Sequence, residues 1–155
     1  MVFDTLIIGG GVSGMQCALV LGSAKTKAFA LDKNIGIIMH QRTSHLENAL
    51  FNNVLGLAPG TTGKDILKQG KEQLTSMYRH ISQIESEKVL SVTEIEGSYK
   101  VTTNKNVYDS KLVIIALNYA KPFTITGLEE FIIPHEKSNA AKDRIQLKNT
   151  NHLIK

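Results

Sequence analysis

The sequence predicts an α/β fold: a Rossmann-like, doubly wound parallel sheet with an antiparallel β-meander as a crossover. Three observations carry this reading. An apolar run over residues 2–8 leads directly into glycines spaced G-x-G-x-x-G, at Gly9, Gly11 and Gly14. A second continuous apolar run, KLVIIAL at residues 111–117, has the character of a strand at the centre of a sheet. Between the two, residues 89–108 alternate apolar with polar side chains, the period of an antiparallel strand buried on one face.

Taken in order, residues 2–8 form a buried parallel strand, and residues 13–21 a helix that packs through Met15, Ala18 and Leu19. Residues 27–31 are expected as a second short strand ending at Asp32, which makes the first fifth of the chain a β-α-β unit. Residues 34–59 mix apolar and polar side chains without a clear period; short helical pieces are expected around 44–51. A connection this long without clear structure is usually functional or a sign that an element has been misassigned. Thr62 is placed to cap a helix that starts at about Gly63, with Asp65 in its first turn. Residues 81–84 follow as a strand, then the meander with turns at Gly97 and at residues 104–106. Past residue 117, Pro122, Gly127 and Pro134 break the pattern, and a short strand is expected at 144–147.

The composition sets limits. The 155 residues suggest a single domain, with 42% apolar and 21% charged side chains, as in a soluble globular protein. No apolar run approaches the roughly 18 residues of a membrane span, and the first residues lack the pattern of a signal peptide. The one cysteine, Cys17, leaves no internal disulfide and no CxxC pair, so a reducing, cytoplasmic setting is expected. The net charge of +4 is spread over scattered lysines, which gives no nucleic-acid footprint. His40 and His45 are five apart, off the helical spacing of a ligand pair, and no metal site is expected.

The glycine loop carries the chemistry. Each residue type has a job when such a loop follows a strand and opens a helix. Gly9 allows the tight turn, Gly11 lets a pyrophosphate approach the backbone, and Gly14 lets the helix pack close to the strand. The backbone around Val12 and Ser13 offers unpaired N–H groups and the positive end of the helix dipole. Asp32 is expected to accept hydrogen bonds from an adenosine ribose and to repel a 2′-phosphate. Lys33 either flanks the adenosine or faces water. The glycines leave NAD and FAD as alternatives, because both contain ADP.

The glycine loop, the segment NNVLGLAPGTTGKDILKQGKEQL and the strand KLVIIALNYAKPF resemble, in the same order, the flavin-binding domain of thioredoxin-reductase-like enzymes of the pyridine nucleotide–disulfide oxidoreductase class. The resemblance runs over roughly residues 2–130 and favours FAD. It implies that Asn53, Gly56, Thr62 and Gly63 fill the family's asparagine, glycine and T-G positions, with Asn53 near the flavin. It also implies that Ala116 lines the cofactor, although Leu117 and Asn118 depart from the family's A-T-G. Arg42, in the long loop after Asp32, has a guanidinium suited to a pyrophosphate or a flavin oxygen; a solvated loop charge is the alternative. His40 in the same loop is a flavin-side acid or base on one reading, a surface histidine on the other. The family's inserted NADPH domain and its CxxC have no counterpart here, so the resemblance implies a flavoprotein oxidoreductase but not a self-contained thioredoxin reductase. Its electrons are expected from outside, from NAD(P)H or a partner protein. Residues 1–155 are expected to be one FAD-binding domain without the family's last strand and helix, with an open edge beside residues 112–116 that invites a homo-oligomer. A non-catalytic dinucleotide-binding module and an NAD-dependent oxidoreductase are the competing readings.

Overall fold

The structure, a computed structural model, describes residues 2–40, 45–117, 125–128, 132–133 and 146–147. In chain order these form β1 (Val2–Ile8), α1 (Val12–Ser23), β2 (Ile35–Met39), a 3-10 turn (His45–Asn48), β3 (Leu50–Phe51), β4 (Thr61–Thr62) and α2 (Gly63–Met77). There follow β5 (Ile81–Glu85), β6 (Val89–Ile95), β7 (Ser98–Thr103), β8 (Val107–Ile115), β9 (Ile132–Ile133) and β10 (Gln146–Leu147). Six of the strands make one sheet in the order β5-β2-β1-β8-β7-β6. The first four are mutually parallel, and the meander joins antiparallel at β8. This is the mixed α/β, Rossmann-like architecture expected.

The apolar runs explain the layers. Ile7, Ile35, Ile37 and Ile81 of the parallel strands pack with Met15 and Ala18 of α1 and Leu74 of α2 in one buried cluster. A second cluster joins Leu6, Ile8 and Ile38 to Val89, Val92 and Val101 of the meander and to Ile125 and Leu128. Among the described residues the two helices therefore share one cluster, and meander side chains fill the other. Removing such side chains from water supplies about 2 kcal/mol each, the main drive for this arrangement.

The second strand differs from the expected one. Residues 27–31 are a chain of tight turns, with Lys27 N–H donating to Ala24 O at 2.7 Å and Ala30 N–H to Lys27 O at 2.9 Å. Phe29 and Leu31 are exposed there, and Asp32 takes a left-handed φ of 54°. The strand that pairs with β1 is Ile35–Met39, in the register Thr5 to Ile35 and Ile8 to Ile38. Four of its five residues, Ile35 to Ile38, are buried, which a largely solvent-facing 27–31 segment could not offer the sheet.

A second correction concerns β8. The expected NVY and KLVIIAL segments are one nine-residue strand. Its first part pairs with β7, Val107 opposite Thr102 through Ser110 opposite Tyr99, while residues 109–115 run parallel to β1. Beyond Ser110, the side of β8 away from β1 has no strand partner among the described residues. The helix expected from Gly63 is α2, and Thr62 and Asp65 close a capping box at its start. A short bridge beside β6 ties in Thr126, whose N–H donates to Leu90 O at 3.0 Å.

Candidate functional site

The chain leaves β1 through the glycine loop, at the carboxyl end of the parallel strands. Gly9 N–H donates to Ile38 O of β2 at 3.0 Å, and Ala116 N–H donates to Ile8 O at 2.8 Å. The loop is thus held between β2 and the end of β8. From β1 the sheet grows towards β2 and β5 on one side and towards β8 on the other, so this is where strand order reverses, the crevice in which open α/β sheets bind ligands.

The glycines are distinguished by what a side chain would meet. Gly9 has φ 128°, and a β-carbon there would collide with the Ala116 carbonyl. A β-carbon at Gly14 would collide with the Gly9 carbonyl. At Gly11 it would meet nothing within 4 Å. The first two positions need glycine for packing of the loop and helix; Gly11 is free of that demand, and its bare backbone faces open space. Gly11 is also the N-cap of α1, with φ −77° and no capping side chain, and no acidic residue stands in the first turn. The N–H groups at Val12, Ser13 and Gly14 therefore keep their donor capacity and the helix dipole keeps its positive end. Helix α2 shows the contrast: Thr62 Oγ1 accepts from Asp65 N–H at 3.2 Å, and the Asp65 carboxylate accepts from Thr62 N–H at 3.3 Å. The α1 terminus fits a diphosphate, and the α2 terminus is already satisfied by its own side chains.

Gly9, Gly11, Val12, Ser13, Gly14 and Ala116 thus converge. Asp32 and Lys33 do not. Asp32 precedes β2 instead of following it, and Lys33 Nζ lies 3.7 Å from Asp4 Oδ1 at the amino end of β1. Asn34 fixes that end, donating its N–H to Asp4 Oδ2 at 2.9 Å and its side-chain amide to Val2 O at 2.7 Å. A strand of this length puts the amino end about 20 Å from the glycine loop. The expectation that Asp32 and Lys33 meet the adenosine is therefore corrected: they sit at the wrong end of the sheet. The residue at the carboxyl end of β2 is Met39, whose Cγ would lie 2.6 Å from a β-carbon on Gly10. Its signal in the sequence was the apolar run 35–39 between Asn34 and His40.

Asn53 stands exposed in the turn of the β3–β4 hairpin, where Gly60 N–H donates to Asn52 Oδ1 at 2.9 Å. His40, just past β2, is exposed. Arg42 and Asn118 lie outside the described residues. Cys17 is half-buried in α1, and burial pushes its thiol pKa up, away from a reactive thiolate. Among the described residues no helix is long and apolar enough to cross a membrane, and no group of His, Cys, Asp or Glu is placed to hold a metal ion.

Comparison with solved structures gives the same fold. An oxidoreductase from Agrobacterium tumefaciens is 25% identical with a TM-score of 0.64, over 84% of this chain and 42% of that one. The thioredoxin reductase of Lactococcus lactis is 21% identical with a TM-score of 0.63, over 83% of this chain and 40% of that one. A ferredoxin-flavin thioredoxin reductase from Clostridium acetobutylicum is 24% identical with a TM-score of 0.58, over 79% and 40%. The chain spans less than half the length of each of these proteins. No curated protein sequence matches it. The family described as pyridine nucleotide-disulphide oxidoreductase matches residues 3–154. The chain belongs to the pyridine nucleotide-disulphide oxidoreductase family.

Proposed function

We propose that this chain is the FAD-binding part of a flavin-dependent oxidoreductase that receives its electrons from outside the domain, from NAD(P)H or a partner protein. One observation carries the reading. The uncapped start of α1 faces open space at Gly11, at the carboxyl end of β1 and beside Ala116. The family match supports flavin as the occupant, in keeping with the name of the similarly folded ferredoxin-flavin thioredoxin reductase.

In this reading a bound flavin supplies the electron chemistry, and the protein supplies position and electrostatics. The backbone N–H groups of Val12, Ser13 and Gly14 bind the diphosphate through hydrogen bonds and the helix dipole. Ala116, hydrogen-bonded to Ile8, fixes the opposite wall with its backbone. Asn53 on the β3–β4 hairpin and Arg42 remain proposed as further cofactor contacts, on the strength of the resemblance. The part of β8 beyond Ser110, which has no second strand partner among the described residues, supports association with a second copy.

A second reading, a dinucleotide-binding module without turnover, is favoured by Cys17. It is the one cysteine in the chain, and its thiol is pushed up rather than activated. Purification and absorbance spectroscopy separate the readings. Flavin absorbance that bleaches anaerobically with NADH, NADPH or a reduced ferredoxin supports the oxidoreductase. Bound flavin that none of these reduces supports the module, and a colourless protein that takes up neither added FAD nor NAD overturns both.

A further inference from the structure

Where a Rossmann-type site grips an adenosine, an acid at the end of the second strand hydrogen-bonds the ribose and excludes a 2′-phosphate. Here that position is Met39. Three facts establish it. Ile38 is the last β2 residue paired with β1, and its carbonyl accepts from Gly9 N–H at 3.0 Å. Met39 comes next, and its Cβ and Cγ would lie 2.7 and 2.6 Å from a β-carbon on Gly10, so its side chain flanks the glycine loop. The nearest preceding acid, Asp32, is held off by the turns before β2, and Asp4 is engaged with Asn34 and Lys111 at the amino end of the sheet.

We propose that Met39 sets the adenosine specificity of this site: a thioether in place of the ribose-binding acid lets it accept 2′-phosphorylated and unphosphorylated adenosine dinucleotides alike. The chemistry is subtractive. The thioether accepts no strong hydrogen bond from the 2′- and 3′-hydroxyls, so plain adenosine loses its selective contact. It carries no charge and does not itself repel a 2′-phosphate, and the carboxylate paired with it across the sheet, Glu85, is matched by Lys71 Nζ at 2.8 Å. The next residue, His40, is exposed. Binding then rests on the diphosphate at α1, which both ligand types share. The proposal rests on the dinucleotide reading of the glycine loop and extends it to the class of ligand that the loop admits.

The test is competition with FAD in the full chain, read by flavin fluorescence, using ADP-ribose and 2′-phospho-ADP-ribose as the two probes. The inhibition constants for the unmodified chain are expected to differ by less than about tenfold. Met39→Glu is expected to bind ADP-ribose more tightly and to reject the 2′-phosphorylated probe by about tenfold or more, because a carboxylate close to a near-dianionic phosphate is repelled even at a water-exposed site. Met39→Gln, with similar length and no charge, keeps the ratio of the unmodified chain. The proposal is overturned if the unmodified chain already rejects the 2′-phosphate by more than tenfold, a measurement that needs no variant to fold. It is also overturned if a folded Met39→Glu leaves the ratio unchanged. Failure of both probes to displace FAD from a flavin-loaded chain removes the proposal and leaves the flavoprotein reading in place. Failure of FAD itself to bind removes both.

Discussion

The backbone of Gly14 lies directly over the carbonyl of Gly9, so closely that any β-carbon at residue 14 would overlap it, whereas three residues earlier Gly11 has nothing within 4 Å of the same position. The two glycines should therefore separate folding from binding. Gly14→Ala forces α1 away from the end of β1 and is expected to cost about 2 kcal/mol or more of stability. Gly11→Val keeps the fold, because φ −77° suits any residue, but places its methyl groups where the diphosphate must approach. Flavin content after purification and thermal melting of both variants check this. A Gly11→Val protein with undiminished flavin would refute the assignment.

Asp4 should govern part of the acid stability. Its carboxylate accepts from Lys111 Nζ and from Asn34 N–H, both at 2.9 Å, joining strands that are 107 positions apart in sequence. These contacts, that of Lys111 first, hold its pKa at about 2. The folded value lies below the unfolded one, so the stabilisation is complete above about pH 5 and is lost as pH falls through about 2. With Lys111 largely exposed, the contribution is about 1 kcal/mol. Asp4→Asn should be less stable than the unmodified chain at pH 7 by that amount and converge with it as pH falls below about 2, as measured by urea unfolding across the range.

The meander is tied by a different carboxylate. Glu87 is buried and accepts from Thr103 Oγ1 and Asn106 Nδ2, both at 2.6 Å, and from the Tyr108 hydroxyl at 3.0 Å. Burial pushes its pKa up, but the three donors outweigh burial and hold it below the usual carboxylate value. Glu87→Gln turns one acceptor oxygen into a donor that faces other donors, and is expected to cost about 2 kcal/mol at neutral pH. Because the folded pKa is depressed, that difference should shrink as pH falls through it. Amide exchange should speed up in β6 and β7 first, with the parallel strands less affected.

The parts of the fold legible in the sequence were those with a local physical signature. β1 and the glycine loop announced themselves because an apolar strand must turn tightly into a helix, and α2 because Thr62 and Asp65 supply both halves of a cap three residues apart. β2 was misplaced because residues 27–31 contain apolar side chains that proved to face solvent, Phe29 at 73% and Leu31 at 57% exposure. The true strand was visible as a short continuous apolar run, but Gly36 obscured it. That glycine is required because the Phe3 ring and Leu6 fill the space a side chain would take, a tertiary fact no local pattern records. The same displacement moved Asp32 out of the site and Met39 into it. Ser110, buried mid-strand with its hydroxyl donating to Leu112 O at 2.8 Å, made one long strand look like two. The Glu87 cluster draws on residues 16 to 21 positions away, and its partners have no common spacing.

The open start of α1 can be closed on purpose. Gly11 has the extended ψ of an N-cap and no side chain, so Gly11→Asp is expected to give α1 what Thr62 and Asp65 give α2. An aspartate there can accept from the N–H groups of the first turn and complements the helix dipole, a gain of about 0.5 kcal/mol. The same carboxylate takes the donors that a diphosphate needs and opposes its charge at close range. Thermal stability should therefore rise slightly while flavin loading falls by tenfold or more, the opposition expected where a protein keeps a helix terminus unsatisfied for a ligand. Melting in the absence of added flavin, beside fluorescence titration with FAD, reads the two effects separately. A variant that melts higher yet loads flavin as before would show that the diphosphate binds elsewhere.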